Sequence, residues 1–201
     1  MQAEDPVYKM LCDYTKALTV ALGYRDPMTQ LHSERVRYLS EELGQACGLT
    51  DEDIVILKIA ASFHDIGKIG IPDPVLLKPG SFDEVEWKVM REHPRIGAEI
   101  MQAIELKGAK KAAEVIRCHH EHYDGSGYPA GQVGDDISIL ARIISITDAY
   151  DAMAMTRSYH QPKAHQHIMR IIHQESGSKF DPGIVAIFSG LIETSPYKAK
   201  A

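Results

Sequence analysis

Phe63-His64-Asp65-Ile66-Gly67-Lys68 places an imidazole and a carboxylate side by side at the end of a strongly apolar run, Ile54 to Ala61. The run reads as a helix. Thr50 is a good N-cap, Asp51, Glu52 and Asp53 complement the positive end of the helix dipole, and Ile54, Leu57, Ala61 and His64 recur at helical spacing. His64 therefore falls on the buried face. One buried histidine is ordinary, but the Asp65 carboxylate beside it is costly to desolvate unless a cation or a network of donors meets it. A metal ion would meet it. For an isolated dipeptide the simpler reading is a His-Asp pair that ties two helices together.

Working outward, His32, His93, the tandem pair His119-His120 and Asp148 each fall on a separate predicted helix and continue its apolar stripe. Taken one at a time, each has a plainer reading as a cap, a helix terminus or a solvent-facing residue. Their recurrence is what favours a shared site. Two consecutive histidines on a helix diverge by about one hundred degrees, so both reach one site only if it lies between them, as a two-metal cluster allows.

Toward the N-terminus, Asp5-Pro6 predicts a helix start, with an apolar stripe from Val7 to Leu22 closed by Gly23. Residues 1–22 are read as a linker or dimerisation element within a single domain spanning 1–201. A second helix is expected from Thr29 to Cys47, with His32 near its start. Beyond Lys68, proline-containing turns precede a capping box read at Ser81-Phe82-Asp83-Glu84, and the helix it opens carries Val85, Val89 and His93 at steps of four. Pro94 restricts His93 toward extended backbone, so this histidine belongs at a helix break.

Helices are further expected over Ile96 to Leu106 and Ala109 to Glu121, then a glycine-dense loop, Tyr123 to Gly131, then a helix from Ile137 through Asp148 with Asp151 one turn on. Glycines let backbone approach a ligand closely, and tyrosine offers an aromatic face with a polar tip. The tail predicts a helix over Pro162 to Gln174 and a last one from a cap at Asp181-Pro182 to about Leu191. His160, His165, His167 and His173 find no matching carboxylates there and are read as surface or interface residues. Five of the ten histidines thus belong to the candidate site.

At 201 residues and 44% hydrophobic content the chain can build one sizeable core. Its net charge of -6 argues against binding long nucleic acid, although a metal cluster can still attract a small anion. Cys12, Cys47 and Cys118 have neither disulfide nor zinc-ribbon spacing, which suits a reducing cytoplasm. No run approaches the roughly eighteen apolar residues of a membrane span, and no signal-peptide pattern is present.

The stretches HDIGKIGIPDPVLLKPG, His93-Pro94, HHEHYDGSGYP from His119 to Pro129, and ARIISITDAYDAM followed by TRSY closely resemble the HD-GYP subgroup of the HD-domain metal-dependent phosphohydrolases. The likeness runs from about Ala17 to Phe188. It implies an all-α helical bundle with a glycine-rich GYP loop beside a metal site, and hydrolysis of cyclic di-GMP to pGpG or GMP. Carried over by motif, the metal ligands are His32, His64, Asp65, His93, His119, His120 and Asp148, with Asp65 bridging two ions. Lys68 is the catalytic lysine, Tyr128 contacts substrate, and Arg157 helps hold phosphate, with His160 where relatives carry a basic residue.

Nitrogen and oxygen ligands without thiolate suit iron or manganese, with nickel or zinc as alternatives. Two such ions about 3.5–4 Å apart can clamp the attacking and leaving oxygens around a hydroxide nucleophile. Some members of the subgroup place a glutamate four residues before the first ligand histidine and bind a third ion. Met28 stands there in this chain, so two ions are expected. Possible partners are an upstream sensor or receiver domain, a diguanylate cyclase, or a second copy in a homodimer. The alternatives to catalysis on cyclic di-GMP are a binding or docking module without turnover and a hydrolase of another cyclic dinucleotide.

Overall fold

The computed structural model describes residues 6–155 and 163–199, and its regular elements there are all helical. α1 (Pro6–Arg25), α2 (Pro27–Ala46) and α3 (Asp51–Phe63) are followed by a 3-10 turn over Ile66–Gly70 and the single-turn α4 (Asp73–Leu76). Then come α5 (Glu84–Met90), α6 (His93–Gln102), α7 (Ala109–Cys118), α8 (Ile139–Ala154), α9 (His165–Gln174) and α10 (Pro182–Ile192). The expected all-α bundle is therefore what forms. α2, α3, α7 and α8 surround the centre, where Leu39, Leu43, Leu57, Ala60, Phe63, Ala112, Ile116, Ile143 and Ile144 are buried. Among the described residues no helix is long and apolar enough to cross a membrane.

Several ends differ from expectation for local physical reasons. α1 runs through Gly23 to Arg25, because its last turn earns tertiary contacts that outweigh the weak helix propensity of one glycine. Leu22 is buried there, and the Arg25 guanidinium bonds Asp73 and the carbonyls of Ile69 and Ile71, tying α1 to the segment that follows the His-Asp pair. The capping box sits two residues later than read. Asp83 accepts from Val85 N and Glu86 N, and the Glu86 carboxylate accepts from Asp83 N at 2.8 Å. A carboxylate can accept both bonds at once, so Asp83 takes the cap position from Ser81.

Helix α5 then ends at Met90, so the stripe read through Val85, Val89 and His93 does not hold, and Val85 is 69% exposed. His93 opens α6, with Pro94 in its first turn, where the missing N–H costs nothing. A helix break at His93 is as expected, but it falls before the residue rather than after it, so His93 is helical rather than extended and α6 opens there instead of at Ile96. α6 stops at Gln102 instead of Leu106 and α7 at Cys118 instead of Glu121, which leaves His119 as C-cap and His120 in the turn beyond.

The 3-10 turn packs against α6 so closely that only glycine fits at position 67. A Cβ there would lie 1.8 Å from the His93 carbonyl oxygen and 2.5 Å from Gly97 N. Gly190 in α10 faces open space. Gly67→Ala is expected to lower stability by about 3 kcal/mol or more through forced separation of these elements. Gly190→Ala should raise stability by about 0.5–1 kcal/mol. Urea unfolding of the two variants against wild type checks both signs.

Candidate metal centre

Helix ends aim the key imidazoles. His64 is the C-cap of α3, His119 the C-cap of α7, and His93 begins α6 just after α5 has stopped. In all three the same local bond recurs: Nδ1 donates to the carbonyl three residues earlier, Ala61 at 2.7 Å, Met90 at 2.7 Å and Ile116 at 2.6 Å. That bond sets the tautomer, leaving each Nε2 with a bare lone pair. All three Nε2 atoms are buried and lack any hydrogen-bond partner. Buried acceptors of this kind are rare unless something outside the polypeptide meets them, and a backbone-anchored imidazole is the usual form of a metal-ligating histidine.

These atoms belong to two groups that can each hold a metal ion, His32 with His64 and Asp148, and His93 with His119 and His120. Within each, the ligating atoms lie within 4.8 Å of one another. Asp65 lies between the groups. Its Oδ2 is 3.5 Å from His64 Nε2 and its Oδ1 is 3.5 Å from His93 Nε2, so the two oxygens of one carboxylate face different groups. The rings form a continuous chain, His32 to His64 at 5.3 Å, His64 to His119 at 5.3 Å and His119 to His120 at 4.0 Å. Nitrogen and carboxylate donors without sulfur fit a divalent transition metal.

The charge states differ between the two groups. Burial pushes the His93 imidazole down to about 4, only partly opposed by Asp65, and burial reinforced by His64 and His93 pushes His119 down to about 3. His120 is held well below its usual range by burial and then by His119. This triad is neutral and ready to ligate. For His32, burial alone would act downward, but hydrogen bonds to Asp148 and Asp151 reverse it and carry the group up to about 9. Its Nε2 lies 3.0 Å from Asp148 Oδ1 and its Nδ1 lies 2.9 Å from Asp151 Oδ2.

Burial alone would raise Asp65, yet Lys68, with Nζ 2.7 Å from Oδ2, and the surrounding histidines hold it well below the usual carboxylate range. Asp148 is likewise kept ionised against its burial, chiefly by the His32 hydrogen bond. Burial, then Asp148 and Asp65, raise the Tyr128 phenol, so it keeps its proton and acts as a donor.

The glycine-rich loop is clamped against this centre. The buried Glu121 carboxylate accepts from Ala130 N at 2.6 Å and Gln132 N at 3.1 Å, and Tyr128 N donates to the His120 carbonyl at 3.1 Å. Gly127 is required by the same approach, since a Cβ there would lie 2.2 Å from His122 N. The Tyr128 ring comes to rest 5.0 Å from that of His120. On the other side, a cleft of about 250 Å³ lined by His120, Asp148, Ser145, Met153, Glu175 and Lys179 opens beside the centre.

All seven residues expected to ligate metal converge here, together with Lys68 and Tyr128. Arg157 and His160 lie outside the described residues, as does the Met28 side chain; the Met28 backbone lies in α2 one turn before His32. Three residues have structural roles that the sequence reading did not assign. Asp151 is fully buried and orients His32, and it also accepts from Arg35 Nε at 2.5 Å. Its place three residues after Asp148 on one helix was the available signal. Glu121 adjoins the histidine pair, but nothing in the sequence pointed it at the loop. His165, read as a surface residue without a carboxylate, is instead buried between Tyr150 OH at 2.9 Å and Glu193 at 2.8 Å. Its carboxylate comes from beyond α10, too far along the chain to pair by local spacing.

The chain belongs to the HD domain family, whose model matches residues 16–184. It is 39% identical over 84% of its length to the cyclic di-GMP phosphodiesterase response regulator RpfG of Xanthomonas campestris, covering 44% of that protein. It is 37% identical over 85% of its length to a 3'3'-cGAMP-specific phosphodiesterase of Vibrio cholerae, covering 33% of it. The chain thus spans between about a third and a half of the curated relatives it matches. A crystal structure of a cyclic GMP-AMP phosphodiesterase from V. cholerae shares the fold, with a TM-score of 0.66 at 18% identity over 95% of this chain and 50% of that one.

The Asp151 carboxylate has a consequence for stability. Removing it leaves the buried His32 cation and the Arg35 guanidinium without their shared acceptor. Asp151→Ala is expected to cost on the order of 3 kcal/mol in chelator-treated protein, measured by urea unfolding at neutral pH.

Proposed function

We propose that this chain hydrolyses cyclic di-GMP to pGpG or GMP at a two-metal centre. His32, His64 and Asp148 would hold one ion and His93, His119 and His120 the other, with Asp65, one oxygen toward each group, placed to serve both. The observation that carries the reading is the set of three buried, partnerless Nε2 lone pairs fixed by backbone bonds around one ionised carboxylate. When bound, the ions supply Lewis acidity and a nucleophile generated from water at neutral pH, iron or manganese being the best match to the donors and nickel or zinc the alternatives. The protein acts in the cytoplasm, consistent with the Cys47 and Cys118 thiols, which form no disulfide.

The polypeptide supplies orientation and charge. Lys68 holds its ammonium on Asp65 at the rim of the centre, where it faces the negative charge that builds on the phosphoryl oxygens. Tyr128 keeps its phenolic proton and donates a hydrogen bond to a substrate oxygen. Its ring, stacked toward His120 and gripped through the Glu121 clamp, arrives already oriented, so little ordering is left for the moment of binding. Arg157 adds a phosphate contact, and His160, in place of a basic residue, makes a weaker one at neutral pH. A second reading, hydrolysis of a mixed cyclic dinucleotide, is favoured by the likeness to the 3'3'-cGAMP-specific enzyme.

Protein refilled with iron or manganese should contain two ions per chain by elemental analysis and turn over cyclic di-GMP faster than 3'3'-cGAMP; the reverse order supports the second reading. Asp65→Ala and His64→Ala should lose turnover while circular dichroism stays helical. Lys68→Ala should lower kcat roughly a hundredfold with metal content retained. Metal entry at pH 7 should release at least one proton, the one on His32, which is protonated below about 9 whereas His93 and His119 are already neutral, with any water ionised on metal entry adding to it. Affinity at the His32 triad should accordingly tighten as pH rises toward 9. Calorimetric titrations in buffers of different ionisation enthalpy measure that proton.

A further inference from the structure

Close to the centre stands an arginine whose contacts are with rings. Arg91 follows α5, is exposed, and has its guanidinium carbon 5.2 Å from the Tyr128 ring centroid and 5.8 Å from that of Trp87. By contrast, Arg25, Arg35, Arg37, Arg95 and Arg142 each reach a carboxylate. Trp87 is itself 45% exposed and is braced edge-on by Phe82 at 5.4 Å. Phe82, Trp87, Arg91, Tyr128 and His120 thus form an unbroken ladder from the surface to a ring of the metal centre.

Two ring contacts restrict a side chain that would otherwise sample many rotamers, and Arg91 forms no ion pair among the described residues. Five donors in a planar fork match a phosphate, and a cation is useful there because the chain as a whole carries a charge of -6. The other described cations near the centre are engaged. Lys68 is bound to Asp65 at 2.7 Å, and Lys179 in the cleft lies 3.8 Å from Glu175.

We propose that Arg91, held by Trp87 and Tyr128, binds the phosphate of a cyclic dinucleotide that is not being cleaved. The inference rests on the phosphodiesterase reading above. A cyclic dinucleotide carries two phosphodiester groups. With one on the metal-ligating triads, the other must lie to the side, and a preset guanidinium on the loop side fixes which bond is presented for attack.

The test compares wild type, Arg91→Ala and Arg91→Lys on cyclic di-GMP and on bis(p-nitrophenyl) phosphate, which carries a single phosphodiester. Arg91→Ala should raise KM for cyclic di-GMP roughly tenfold or more, the worth of a charged hydrogen bond, with a smaller change in kcat. The ratio of kcat/KM for the dinucleotide to that for the monoester-forming probe should fall by a similar factor, Arg91→Lys lying between. Metal content should match wild type. An unchanged ratio, whether both activities fall together or neither does, overturns the proposal. Equilibrium dialysis of cyclic di-GMP separates it from the catalytic reading. A roughly tenfold weaker Kd in Arg91→Ala upholds the Arg91 contact even if wild type shows no turnover, whereas wild type that fails to bind overturns both.

Discussion

Three buried imidazole nitrogens without hydrogen-bond partners, beside a largely apolar core, are the constraint to which the rest of the molecule answers. A continuous helix cannot satisfy it, because side chains along a helix follow its own spiral and do not converge from several helices on one point. The chain solves this by stopping. α3, α5 and α7 end beside or just before a histidine, and each imidazole is then locked by donating to a carbonyl of the last turn. Those carbonyls are among the groups a helix end leaves unsatisfied, so one bond completes the helix and sets the tautomer.

The electrostatics divide the centre into unlike halves. His93, His119 and His120 are neutral because they crowd one another in a dry environment, whereas His32 sits between Asp148 and Asp151 and carries a proton. Asp65, with an oxygen toward each half and Lys68 against it, is the junction. A buried carboxylate of this kind is sustained only by cations on several sides, which is the environment in which a divalent ion is also stabilised. The same arrangement that would be a liability to an ordinary core is thus poised to be completed.

Rigidity is concentrated where a ligand would arrive. Glu121 grips the loop through two backbone donors, Gly127 lets it approach within reach of His120, and the Tyr128 ring bridges from His120 to Arg91. Gly67 does the corresponding work beneath the centre by bringing the 3-10 turn against α6. Both glycines have close backbone neighbours, so their value lies in the space they leave rather than in unusual dihedrals.

By itself the sequence determined the helical class, the capping of α3 by Thr50 and the identity of the residues that meet at the centre, because these follow from periodicity, capping chemistry and ordered motifs. Only the tertiary structure decided where α5, α6 and α7 end, since those ends are set by packing that local propensity does not contain. It also decided which charges pair across the chain. Asp151 with His32 and Arg35, Glu193 with His165, and Arg91 with Tyr128 are contacts between residues distant in sequence or on different elements. A one-dimensional pattern shows that such groups exist, but burial and distance, which turn them into partners, arise only once the helices have packed.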